Sequence, residues 1–539
     1  MDKRALIAGL LSLIVIIIFH YLYLYLYPPS HRKAVVNITP VAKQALKQSK
    51  TPSKLPKEEH AETSWLKKFK SYFILTSDYS ANLTSSGARF VSFKLRKYFY
   101  DKERTTPIEM ITAPEEGLPL EVYLKSNPRI AILKFTGPGS TYFNLEKEKT
   151  KPLQFELNTK KLLIKKTLIF KKDSYFIDGK IVIKNMSEKP VKDSLLFRGV
   201  FGPFAKESRY AFKGPYYYTN HLNEVKLKDT LSEYVGPLKY LGYQDTYFIV
   251  ALIPQRKDIK NYRATFRKID KFTDEFILWT PEFTLKPGET YEFPFKLYMG
   301  PKRTEDMKKE YPLLAKALYF GIFDFIAKPL LYLLKFSHRF THNFGWDIVI
   351  ITVLLRILFF PLNQLSYKSM SKLKELQPVI ENLRKKYKDD PQKLQQEIMR
   401  IYRTHKANPF SGCLPILIQI PVFIAFYKML LMAIELRHAP FMLWITDLSA
   451  PERLYIGHFH IPILGGIPVL TILMGLTMYI QQKLTPTTPD PFQEKLMLFM
   501  PIFFTIIFIN FPSGLVLYWF VNNILSIVQQ YFTLKFSKN

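Results

Sequence analysis

Trp346 to Leu362 reads WDIVIITVLLRILFFPL, an apolar run interrupted only by Asp347 at its start and Arg356 inside it. At 1.5 Å rise per residue such a run approaches the roughly 30 Å hydrocarbon thickness of a bilayer, which makes it a membrane-span candidate. Four comparable runs follow, Pro415 to Ile434, Ile461 to Ile480, Leu496 to Phe511 and Gly514 to Leu534. One precedes them all: Ala5 to Tyr27 carries no charge apart from the usually neutral His20. Six membrane helices are therefore expected. Nothing about a soluble enzyme explains them, and a single cysteine, Cys413, excludes an intramolecular disulfide framework and any CxxC metal or redox site.

Between the first run and the rest, the chain changes character. Residues 1–27 read as an N-terminal anchor, and 28–61, rich in Pro, Lys, Ser and Thr without apolar periodicity, as a flexible tether. From 62 to 303 short β-branched and aromatic segments alternate inside and outside, among them Phe90–Leu95, Leu162–Phe170, Tyr175–Ile183, Thr246–Ile253 and Tyr291–Tyr298. Many short strands with few helical patterns between them predict a large antiparallel β-sandwich. Residues 304–340 read as a linker and an amphipathic helix, Leu313 to Phe340, lying in the membrane interface. Residues 341–539 hold the last five spans. No P-loop, HExxH or GxSxG stands anywhere, and neither metal nor cofactor nor catalytic residue is expected.

The net charge of +32 divides as +1 over Met1–Tyr27, +23 over Pro28–Phe340 and +8 over Thr341–Asn539. Basic residues scattered among strands, with no nucleic-acid module, point to a solvated surface and not to sequence-specific nucleic-acid binding. Orientation follows from the short loops. Ser366 to Gly412 carries 11 Lys or Arg against 5 acids and is expected in the cytoplasm, which places both termini there and the β domain outside. Its apolar positions fall at helical spacing on both sides of Asp389-Asp390-Pro391, predicting two antiparallel helices, residues 366–412, whose charged face carries Lys372, Arg384, Lys385, Lys386, Arg400 and Arg403.

Arg356 is the informative residue. A central Arg costs roughly 2.5–3.5 kcal/mol on insertion scales, so it needs a wet cavity, a partner or the headgroups. Thr352 lies one turn away, and Gln419, Gln481, Gln482, Asn522 and Asn523 stand in other spans. Singly these are interhelical hydrogen bonds, but with Arg356 they suggest a polar groove. An anion transporter or channel with Arg356 as its binding group is the alternative.

The stretches Arg356 with Phe360-Pro361-Leu362, Asn408 to Pro421, Trp444-Ile445-Thr446-Asp447-Leu448-Ser449 and Phe511 to Trp519 resemble the YidC/Oxa/Alb family of membrane protein insertases, in its Gram-negative form with a large periplasmic domain. The resemblance implies a five-helix insertase core. It implies a hydrophilic, cytoplasm-open groove through which nascent inner-membrane proteins enter the bilayer without nucleotide hydrolysis. Arg356, Thr352, Gln419, Trp519 and Asn522 would be its groove residues. Implied partners are nascent membrane-protein clients, the lipid bilayer and the Sec translocon, with the ribosome or signal recognition particle machinery as further candidates at the basic hairpin.

Overall fold

The computed structural model describes residues 68–205, 211–227, 231–388, 390–405, 414–456, 465–484 and 491–536. The expected anchor, the tether and Cys413 lie outside the described residues.

Twenty strands run from Ser71 to Pro301. They form one eight-stranded sheet, two five-stranded sheets and a two-stranded ribbon. Ser71–Leu75 and Tyr142–Asn144 pair in parallel; the eight-stranded sheet is antiparallel throughout. The alternation in Leu162–Lys171 explains why. Ile164, Lys166, Leu168 and Phe170 are buried while their neighbours are half-exposed, the period of two that a sheet with one covered face imposes. Across the sheet Phe155, Lys166, Ile181 and Phe293 stand in one register row. Both five-stranded sheets cover that face. Tyr72 packs on Phe155 at 5.1 Å, Phe90 on Phe170 at 6.3 Å, and Phe197 on Phe293 at 5.1 Å. The opposite face carries ion pairs such as Lys165–Glu156 and Lys180–Glu292.

Lys166 therefore occupies a core position. Its Nζ donates to the carbonyls of Gly87 and Leu120, and burial pushes its pKa well down. Beside it runs a ladder of charges. Arg89 reaches Glu121 at 2.7 Å, Arg198 bridges Glu121 and Glu275 at 2.8 and 2.6 Å, and Arg267 closes on Glu275 at 2.9 Å. Burial disfavours a charged Glu121, but Arg198 and Arg89 outweigh it and hold the carboxyl below its usual range.

Ten helices follow among the described residues: α1 Thr304–Lys308, α2 Asp324–Thr341, α3 Phe344–Leu358, α4 Phe360–Glu375, α5 Gln377–Lys386, α6 Pro391–Thr404, α7 Leu414–Met432, α8 Val469–Leu484, α9 Pro491–Phe508 and α10 Ser513–Phe536. Three differ from the sequence reading. The amphipathic helix begins at Asp324 and not Leu313, because Pro312–Ala317 is a 3₁₀ turn and Gly321 takes a left-handed φ of 86°. Among the described residues of the expected span 461–480, the helix begins at Val469, after Pro468, and continues to Leu484. The expected span Trp346–Leu362 is broken at Phe359 and bends by 59° into α4. Among the described residues no single helix is long and apolar enough to cross a membrane, but α3 with Phe360–Tyr367 is.

Charged groups join the helices to one another and to the strands. Lys335 of α2 pairs with Glu305 at 3.1 Å and Glu435 at 2.5 Å, and the Arg437 guanidinium lies 5.9 and 5.8 Å from the ring centres of Tyr247 and Phe248. Lys428, in the C-terminal half of α7, is near enough to Glu224 to favour its charge, against the burial that raises its pKa.

Candidate functional site

The site is built at the broken end of α3. Its start is fixed first: Asn343 caps the helix by accepting from Gly345 N and Trp346 N. Asp347, fully buried, accepts from Ser337 Oγ at 2.5 Å and Thr341 Oγ1 at 2.6 Å and meets His338 Nδ1 at 2.9 Å. These bonds clamp α3 to α2. The other end is set by Pro361, which has no N–H to give the carbonyl of Ile357 and whose ring collides with it in a continuous helix. The chain breaks at Phe359 and restarts as α4, held from α10 by Gln529 Nε2 on the Phe360 carbonyl and Thr533 Oγ1 on Gln364 Oε1.

Arg356 consequently stands in the last turn of α3 and not a turn and a half inside a straight span. A helix C-terminus favours a cation. Its Nη2 donates to the Tyr367 hydroxyl of α4 at 3.1 Å. Its Nε is buried and has no hydrogen-bond partner among the described residues.

Around it lies a cavity whose polar wall is Thr352, Arg356, Asn363, Gln419, Tyr518 and Asn522, with Leu355, Phe359 and Val422 completing it. Its volume is about 10 Å³, what one water needs. Four of the five expected groove residues, Thr352, Arg356, Gln419 and Asn522, thus come together from α3, α7 and α10. Thr352 is 1% exposed and gives its hydroxyl to the Ile348 carbonyl at 2.6 Å. The Tyr518 hydroxyl meets the Gln419 side chain. The fifth, Trp519, packs outside the cavity on Phe423, Phe508 and Phe504 at 4.8, 4.9 and 5.8 Å, joining α7, α9 and α10. Asn523 bonds the Met474 carbonyl and Thr477 Oγ1 and ties α10 to α8.

Sequence reasoning missed Asn363, Tyr367 and Tyr518. A signal for the first two existed: Asn363 and Tyr367 are four apart, one helical face just past Pro361.

The basic hairpin has its own small core. Leu376, Ile380 and Ile398 are buried, with Leu373, Leu383, Leu394, Ile401 and Tyr402 packed against them, and Asp390 caps α6 through Lys393 N. Its first arm is divided at Leu376, because Pro378 starts a new helix. Lys372, Lys385, Lys386, Arg400 and Arg403 are exposed and Arg384 is half-buried. Among the described residues no group of three or more His, Cys, Asp or Glu could hold a metal.

Residues 72–333 match the family model of the YidC periplasmic domain, and 336–539 that of the 60Kd inner membrane protein. The Membrane protein insertase YidC of Syntrophobacter fumaroxidans is 40% identical over 86% of each chain. The chain belongs to the YidC membrane protein insertase family. The YidC of Geobacter metallireducens is 37% identical over 98% of each chain. A solved structure, an active YidC insertase with its first transmembrane domain resolved, aligns over 86% of this chain and 92% of that chain at 19% identity and a TM-score of 0.38, too loose a match to transfer geometry. The YidC relatives lend no support to the anion transporter or channel reading. The periplasmic-domain match ends and the inner-membrane-protein match begins inside α2, so this helix is shared by the two family models.

Proposed function

We infer that this protein is a membrane protein insertase of the bacterial inner membrane. It receives the hydrophilic part of a nascent client beside Arg356 and releases the client's apolar segment into lipid. The observation that carries the reading is the half-satisfied guanidinium: a cation at the break of a helix, bonded to a neutral hydroxyl, its Nε buried without a partner among the described residues, beside a small polar cavity that Arg356 lines. A permanent carboxylate partner would quench such a group; a visiting one fits it. Six spans with cytoplasmic termini and a periplasmic β domain follow from the loop charges. The apolar flank of α9, where Phe499, Ile502 and Ile506 are 54–62% exposed, is a surface for lipid or a passing client helix. Burying about 20 apolar residues in lipid drives the reaction, so no nucleotide is required. The exposed cations of the hairpin would receive the ribosome or targeting machinery, and the Sec translocon is a candidate partner for larger clients. The test is insertion of a single-span client into liposomes holding only this protein, without ATP or GTP: insertion well above that of protein-free liposomes is expected, and equality with them would refute the reading.

A further inference from the structure

We propose that Tyr367 is the positioning residue of the groove, holding the Arg356 guanidinium by a bond across the bend of the helix and yielding it to a carboxylate of the incoming chain. The proposal rests on the capture role inferred above for Arg356. Tyr367 and Arg356 are eleven residues apart, about 16 Å along a straight helix. They stand on opposite arms of a break with a 59° bend, α3 before it and Phe360–Tyr367 after it. The Nη2 to hydroxyl bond of 3.1 Å spans that break. A guanidinium at the end of a long flexible side chain would otherwise sample many rotamers, including those that lead toward the headgroups. The phenol removes that freedom while leaving Nε, buried and without a partner among the described residues, open to a second acceptor.

The chemistry of the partner matters. A phenolic oxygen is a neutral acceptor, so its bond to the cation lacks the opposite charge that a carboxylate brings. An Asp or Glu at position 367 would occupy the guanidinium permanently, and an apolar residue would leave it unplaced. A tyrosine fixes it yet is displaced when an acidic client residue arrives. Because α4 leads directly into the basic hairpin through Glu375 and Leu376, release of the Tyr367 hydroxyl would also free the arm that carries the hairpin.

Tyr367→Phe removes the hydroxyl and keeps the ring, so packing is preserved. The full chain in proteoliposomes would be given a single-span client with zero or two Asp residues in its translocated tail, with wild type, Tyr367→Phe, Arg356→Ala and the double variant at matched protein levels. Tyr367→Phe is expected to slow the two-Asp client on the order of tenfold, the worth of one hydrogen bond to a charged group, and to leave the zero-Asp client near wild type. On the Arg356→Ala background it should add nothing. Equal slowing of both clients, no slowing of either, or an undiminished effect without Arg356 would each overturn the assignment. An Arg356→Ala defect of the same size for both clients would instead overturn the capture role, so the two failures are separable.

Discussion

Arg198 lies between two buried carboxylates, Glu121 and Glu275, with side chains 11%, 3% and 5% exposed. Removing it leaves both acids without their central cation, and breaking a buried pair in this way costs about 3–5 kcal/mol. Arg198→Ala should lower the thermal midpoint of the detergent-solubilised protein accordingly at pH 7. The pH dependence has a definite sign. Glu121 is held below its usual pKa in the folded chain, so its contribution is present above the unfolded carboxylate pKa, about 4.3, and is lost as pH falls through the folded value. In Arg198→Ala burial acts on Glu121 with less opposition, so the deficit against wild type should narrow as pH is lowered from 7 toward 5. A deficit that stays constant over that range would show that the ladder is not electrostatic in origin. None of this was legible in the sequence. Lys166 reads as a polar position in an alternating strand, and only the fold shows that its row faces inward. Arg356 was legible because an Arg in an apolar run has few acceptable surroundings; Tyr367 offered only its four-residue spacing from Asn363, a weak signal because a tyrosine past the end of a span has many acceptable surroundings.

At the scale of elements, the period of the apolar residues placed strands and helices correctly where one face is covered, as in Leu162–Lys171. It erred where backbone chemistry overrides hydropathy: Pro361 breaks a run that remains apolar across the break, Pro378 divides the first arm of the hairpin, and Gly321 delays α2. The Arg356–Tyr367 bond depends on the first of these breaks, since a straight helix would carry Tyr367 farther from Arg356. The hairpin is a separate element with its own three-residue core, so it can be removed without opening the membrane helices. Deleting Met370 to Arg403 should abolish insertion from ribosome-bound chains while the protein remains in the membrane at normal levels. Normal insertion by that variant would show that recruitment lies elsewhere.

At the scale of the molecule, Lys335 of α2 pairs with Glu305 of α1, and Arg437 of the helical part lies over the rings of Tyr247 and Phe248 of the β domain. The Lys335–Glu435 pair at 2.5 Å lies wholly within the helical part and survives without the domain. Every residue lining the cavity lies between Thr352 and Asn522. A chain joining the first span to Leu313 onward should therefore still insert a simple client, and loss of activity at normal abundance would place the domain in the reaction itself. The division into a strand-rich domain and a helical part was readable from the change of period near residue 304, whereas the charged seam between them was not, because its members are ordinary surface residues until the fold juxtaposes them.

The central claim is that the charge of Arg356 captures acidic residues of the client. It is tested most directly by initial insertion rates in proteoliposomes for one single-span client carrying zero, one or two Asp residues in its translocated tail, with wild type, Arg356→Lys and Arg356→Ala at matched levels. Arg356→Lys should retain most activity, since the charge survives, and the Arg356→Ala defect should grow with each added Asp. An Arg356→Ala defect of the same size for all three clients would contradict the account.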